Sequence, residues 1–104
     1  LTQASVDQEK CPIETTLQVI GRKWMVLIIR DLLAGPRRFT DLLQSLGRVS
    51  PKTLSERLRE MEARGVVVRR PYPEVPPRVE YELTDRGRSL AGILQAMAEW
   101  GKQL

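Results

Sequence analysis

The sequence predicts a mainly α-helical fold with one small antiparallel β-hairpin, and three observations predict it. Residues 50–65, SPKTLSERLREMEARG, spell an amphipathic helix with a marked start and stop. A shorter helix precedes it across the tight turn Gly47-Arg48-Val49. Two runs rich in β-branched residues, 66–72 and 79–83, follow it and flank a proline-rich tip, as the strands of a hairpin do.

The elements follow in chain order. Residues 1–10 carry no helical or strand period and are expected to form a flexible N-terminal arm. Pro12 suits a first helical position. Ile13, Thr16, Leu17 and Ile20 then recur at helical spacing until Gly21. The stretch 24–33, WMVLIIRDLL, reads as a central buried helix, far shorter than the ~20 residues that span a bilayer. Ala34-Gly35-Pro36 stops it. An extended piece at 37–39 follows, and Thr40 is expected to cap a helix over 41–46 with Leu42, Leu43 and Leu46 inward. In the next helix Ser50 is the N-cap and Pro51 the first residue. Leu54, Leu58 and Met61 form its apolar stripe, Lys52, Glu56 and Arg59 lie opposite, and Gly65 closes it. In the ribbon, Val79, Tyr81 and Leu83 should face the core and Glu80 and Glu82 solvent. Thr84, with Asp85 in the first turn, is expected to cap one last helix over about 85–103.

Charge and composition narrow the function. A chain of 104 residues suits one domain, over 11–104. Its net charge of +4 is uneven: residues 1–20 carry −2, 21–70 carry +7, 71–83 carry −2 and 84–104 carry +1. The positive excess falls on the two-helix unit, and a basic surface attracts polyphosphate. The start is polar, with no signal-peptide pattern, and no apolar run is long enough for a membrane, so the cytoplasm is the simplest location. There is no His and a single Cys, so one chain holds neither a Cys/His zinc site nor a Ser-His-Asp or Cys-His arrangement. No paired carboxylates are tied to a cleft. The chain is therefore expected not to be an enzyme and to need neither metal nor cofactor.

The order of elements is that of a winged helix-turn-helix, with the helix-turn-helix at about 40–64 and the wing at about 66–83. The wording resembles the HxlR-type transcriptional regulators, relatives of the MarR group, over residues 11–104. The resemblance rests on CPIE at the first helix, IGRKWMVLIIRDLLAGPRRFTDL through the next two, SPKTLSERLREMEARGVVVR into the ribbon, and PPRVEYELTDRGRSL with a closing Trp100-Gly101. It implies a homodimeric, DNA-binding transcriptional regulator of bacterial type. In some members a cysteine at the CPIE motif senses oxidants or electrophiles.

A second helix of this kind fits the major groove, with its N-terminal residues against base edges. The candidate DNA contacts there are Arg48, Ser50, Lys52, Thr53, Ser55, Glu56 and Arg59; Glu56 accepts from cytosine N4 or orients Arg59. Thr40 with Arg37 and Arg38 makes a candidate phosphate clamp at a helix N-terminus. Arg69, Arg70 and Arg78 flank the wing, and Arg78, just past the tip, is placed either in the minor groove or in pairs with Glu74 or Glu80. Ile13, Leu17, Leu90, Leu94, Met97 and Trp100 give the terminal helices, 12–20 and 85–103, apolar faces for a homodimer seam. Two such helices read half-sites ~34 Å apart. Cys11 stands at a helix start beside Lys10, where the helix dipole and the cation favour a reactive thiolate; otherwise it is a small packing residue. A lone Cys can switch only through an intermolecular disulfide or a small-thiol adduct. The expected partners are double-stranded DNA, a second copy, and a small molecule or oxidant as effector, with no membrane. The competing expectation is a winged-helix module for protein–protein contact without specific DNA binding, which should show an apolar patch on the outer face of the 50–65 helix.

Overall fold

A computed structural model describes residues 11–104, and the expected arm at 1–10 lies outside the described residues. Helix α1, Pro12–Ile20, is followed by α2, Met25–Leu33. A two-residue strand β1, Arg37–Arg38, leads into α3, Phe39–Leu46, and α4, Pro51–Ala63. The hairpin is β2, Val67–Tyr72, with β3, Arg78–Leu83, and the chain ends in α5, Asp85–Arg88, and α6, Ala91–Gly101. The mainly helical winged helix-turn-helix predicted from sequence is the fold observed.

The core sits beneath α4. Leu54, Leu58 and Met61 pack against Met25, Ile28, Ile29 and Leu32 of α2 and Leu42 and Leu46 of α3, all of them buried. Val66, Val67 and Leu83 close the core from the wing. The punctuation of α4 is as predicted: Ser50 Oγ accepts the Thr53 N–H at 3.0 Å. At the far end Gly65 turns left-handed at φ 75°. The Val66 N–H then reaches the Met61 carbonyl and the Gly65 N–H the Glu62 carbonyl, each at 3.0 Å, which satisfies carbonyls the helix leaves open.

Five expectations need correction. The ribbon is a three-stranded sheet, order β1-β3-β2, because the short piece at Arg37–Arg38 pairs with β3, Arg37 opposite Tyr81 and Arg38 opposite Glu80. Thr40 does not cap α3. The helix starts at Phe39, two residues before the expected Asp41, and the Asp41 carboxylate accepts the Arg38 N–H at 3.0 Å instead. The last helix is not continuous: Thr84 caps only the four-residue α5, with Gly87 N–H donating to its hydroxyl at 3.1 Å, and the chain tightens through Ser89 and Leu90 before α6. Leu90, expected on a dimer seam, is buried in the chain's own core at that join. In β3 Leu83 is buried and Tyr81 packs on the core, whereas Val79 is only half-buried and Glu80 is drawn in by Arg78.

Candidate nucleic-acid interface

The turn between α3 and α4 works because of two residues. Gly47 takes a φ of 77°, which a side chain would resist, and Val49 drops into the core as an anchor. The two helices are thereby locked, and the start of α4 projects from the body. Lys52 and Glu56 are exposed there, while Thr53 and Ser55 are half-buried at the edge. Ser50 is committed locally, since its hydroxyl caps Thr53 N–H and also donates to Thr53 Oγ1 at 3.0 Å. Arg59 Nη2 lies 3.4 Å from Ser55 Oγ, so Arg59 leans on Ser55 and is not oriented by Glu56.

The ion pairs divide the cations into two populations. Arg22, Arg30, Arg57, Arg70, Arg78, Arg88 and Lys102 each hold a carboxylate. Among the described residues, Lys23, Arg37, Arg38, Arg48, Lys52, Arg59, Arg64, Arg69 and Arg86 hold none. Five of those nine were candidate contacts from sequence. A cation with no partner in the protein is free to neutralise a phosphate and displace the counterion condensed on it.

Arg78 is the candidate that the structure reassigns. Its Nη1 meets Glu80 Oε2 at 2.7 Å, its Nη2 meets Glu74 Oε2 at 2.8 Å, and its guanidinium stacks 4.0 Å from the Tyr72 ring centroid. Burial alone would lower its pKa, but the hydrogen bond to Glu74 and the charges of Glu74 and Glu80 outweigh it, and the net shift is upward. Two carboxylates engage its Nη1 and Nη2, and the Tyr72 ring covers one face, so Arg78 is held within the wing itself. The free arginine of the wing is Arg69, which sits opposite Tyr81 in β2, just as Arg37 does in β1. Sequence analysis placed Arg69 at the wing without choosing it. The signal available was Glu74 and Glu80, each close enough in the chain to claim Arg78.

The phosphate clamp keeps its two arginines but changes its geometry. Arg38 is exposed with a free guanidinium, while Arg37 is half-buried with Nη1 on the Pro36 carbonyl at 3.1 Å. Thr40 is exposed inside the first turn of α3, and Asp41 occupies the Arg38 N–H at that helix start.

One buried charged residue escaped the sequence. Arg57 is 9% exposed, and its Nε donates to the Lys23 carbonyl at 2.9 Å. It lies three residues after Leu54 and four before Met61, on the apolar stripe itself. That position was the missed signal.

The terminal helices carry the remaining candidates. Ile13 is 69% exposed, Leu17 54%, Met97 49% and Trp100 63%, whereas Leu94 packs partly on the core. A mostly apolar groove lined by Val26, Leu27, Leu94, Met97 and Ala98, with Arg30 at its side, runs between α2 and α6. Cys11 is exposed at the start of α1, and its carbonyl accepts the Thr15 N–H at 3.0 Å.

A short helix, a locked turn, a projecting helix with free cations and a hairpin beside it define the winged helix-turn-helix class. The HxlR-like helix-turn-helix family model matches residues 19–104, and the chain belongs to that family of transcriptional regulators. It is 43% identical to an uncharacterized HTH-type transcriptional regulator of Synechocystis sp., over 97% of this chain and 78% of the relative. Among solved structures it resembles the HTH-type transcriptional regulator YtcD, with a TM-score of 0.87 and 44% identity over 90% of this chain and 96% of that one. It also resembles the redox regulator HypR in its oxidized form, with a TM-score of 0.86 and 41% identity over 90% of this chain and 97% of that one. The family is one of regulators and not of enzymes. No helix among the described residues is long and apolar enough to cross a membrane.

Proposed function

We propose that residues 11–104 act as one winged helix-turn-helix domain that binds a near-palindromic DNA operator as a cytoplasmic homodimer. The observation that carries the reading is a cluster of unpaired cations. Arg38, Arg48, Lys52, Arg59 and Arg69 hold no carboxylate around α4 and the wing, although Arg57 of α4 and Arg70 and Arg78 of the wing are paired. Lys52, Thr53, Ser55 and Glu56 are the base-reading group, and Arg37, Arg38, Thr40, Arg48, Arg59 and Arg69 track the backbone. The outer face of α4 carries Lys52, Glu56 and Arg59, with no apolar patch of the kind a protein-binding module would use.

A binding titration against genomic fragments at two salt concentrations tests this. Binding should be selective and should weaken steeply with salt. Lys52→Ala is expected to cost about 1–3 kcal/mol on the preferred fragment if it contacts a base. Arg69→Ala should weaken all fragments alike and reduce the salt slope by about 1, the signature of one phosphate contact. Equal affinity for preferred and random DNA would remove the regulator reading in favour of a protein-binding module.

The likeness to HypR, described as a redox regulator, supports Cys11 as a thiol switch. Two Cys11 thiols, one from each protomer, would give up two protons and two electrons to an oxidant such as diamide, which is reduced to the hydrazine as the S–S bond forms. A small-thiol adduct is the other route. Diamide is expected to change DNA affinity in the wild type and to leave Cys11→Ser unchanged. Identical titration curves for treated and untreated wild type would dismiss the switch.

A further inference from the structure

The turn at 21–24 joins α1 to α2, and two side chains of α4 hold it. Arg57 Nε donates to the Lys23 carbonyl at 2.9 Å. Arg22 Nη1, on the turn, donates to Glu60 Oε2 at 2.6 Å. The turn is strained: Trp24 has a φ of 81°, the only positive value for a non-glycine residue among those described. A conformation of that kind persists only where its surroundings hold it.

The carboxylate of Glu60 is shared. Its Oε2 serves Arg22, while its Oε1 stands 3.6 Å from Arg57 Nη1, on its own helix. That gap is too long for a charge-assisted hydrogen bond, and both atoms are buried without another partner. Arg57 therefore spends its Nε on the turn and leaves its Nη1 short of Glu60. The arrangement is a brace between α4 and the turn, set by three charged groups. Arg57 faces the core, while Arg22 and Glu60 line a cleft with Glu56 and Arg59 at the edge of the outer face of α4.

We propose that Arg57, Glu60 and Arg22 are positioning residues for DNA reading, a clamp that fixes the seat of α4 against the end of α1. The proposal rests on the DNA-binding reading above. The three touch no base themselves. They set the angle at which Lys52, Thr53 and Ser55 reach the groove, so their loss should cost selectivity and not simply attraction. A helix displaced by a fraction of an ångström keeps its phosphate contacts, which are tolerant, and loses bidentate base contacts, which are not.

The test uses the intact protein with two duplexes: one enriched by the wild type from a random-sequence pool, and one scrambled to the same composition. The readout is the ratio of the two affinities, with thermal unfolding measured in parallel. Glu60→Gln removes a negative charge and Arg22→Gln a positive one, so direct attraction to DNA changes in opposite directions. Through the clamp both should lower the ratio, by roughly three- to tenfold for the loss of a charged hydrogen bond. Arg57→Lys keeps its charge but loses Nε, and should lower the ratio too; if it fails to fold, the two more exposed variants carry the test. Ratios at the wild-type value in Glu60→Gln and Arg22→Gln would overturn the clamp. So would ratios that fall only with melting temperature and return when trimethylamine N-oxide restores the fold. A wild-type protein with no preference between the duplexes would instead fail the DNA-binding reading itself, and the clamp with it.

Discussion

If the proposed homodimer pairs through α6, Trp100→Glu is expected to leave a monomer and to weaken binding to the proposed operator by about a hundredfold or more, the scale at which a second binding event stops being intramolecular. Trp100 is 63% exposed on α6, one turn beyond Met97, itself 49% exposed. Ile13 and Leu17 offer a second apolar face on α1 at 69% and 54% exposure. A two-fold axis uses each face twice, so one substitution places two carboxylates in an apolar seam. An unpaired charge buried there costs several kcal/mol per ion, about as much as a modest dimer interface provides. Because Trp100 makes little contact with its own chain, the monomer should keep its fold. Sedimentation would show the mass halved, circular dichroism would show the helices retained, and titration would show affinity reduced to that of a half-site. A variant that still sediments as a dimer would place the seam elsewhere.

Gly87→Ala is expected to destabilise the fold by about 1–3 kcal/mol or more, the cost of forcing extra volume into a packed site. Gly87 is buried in α5. A Cβ there would overlap the Val66 carbonyl oxygen and come within 2.9 Å of Leu83 Cδ2. The first obstacle is backbone, at the junction of α4 and the wing, and cannot rotate aside. At roughly 4–8 °C per kcal/mol for a domain near this size, the melting temperature should fall by about ten degrees. Gly92 supplies the control, because nothing lies within 4 Å of the position of its Cβ. Gly92→Ala sits in the first turn of α6 and should leave stability unchanged or raise it by up to ~1 kcal/mol through helix propensity. Equal melting temperatures for both variants would contradict the packing described at Gly87.

What was legible in the sequence was local. Ser50, Pro51 and Gly65 mark the ends of α4 through chemistry confined to a few residues, and Leu54, Leu58 and Met61 show their face by spacing alone. What was not legible depended on residues distant in the chain. β1 earns its place only through pairing with β3, some forty positions away, and a pair of arginines gives no strand signal. Thr40 and Asp41 are both plausible caps, and the extension of β1 into α3 decided for Asp41. Arg57 reads as a surface charge until the turn at 21–24 is brought against it. Leu90 shares the spacing of Leu94 and Met97, but the tightening of the chain at Ser89 rotates it inward. Of the interface, the cations of α4 were readable by position. Which wing arginine stays free was not, since that follows from carboxylates on both sides of the tip.

Thr84 ties three elements through its hydroxyl and its own backbone N–H. Its hydroxyl donates to the Gly65 carbonyl at 2.6 Å and accepts the Gly87 N–H at 3.1 Å, while its own N–H reaches the Val66 carbonyl at 3.1 Å. The end of α4, the return of the wing and the start of the last helices thus share a single knot. Such a knot favours cooperative opening, because no one of the three can fray without exposing polar groups of the other two. For a cell, that makes the molecule an all-or-none object. Partly opened copies would be scarce, and a damaged copy would pass to the proteases whole.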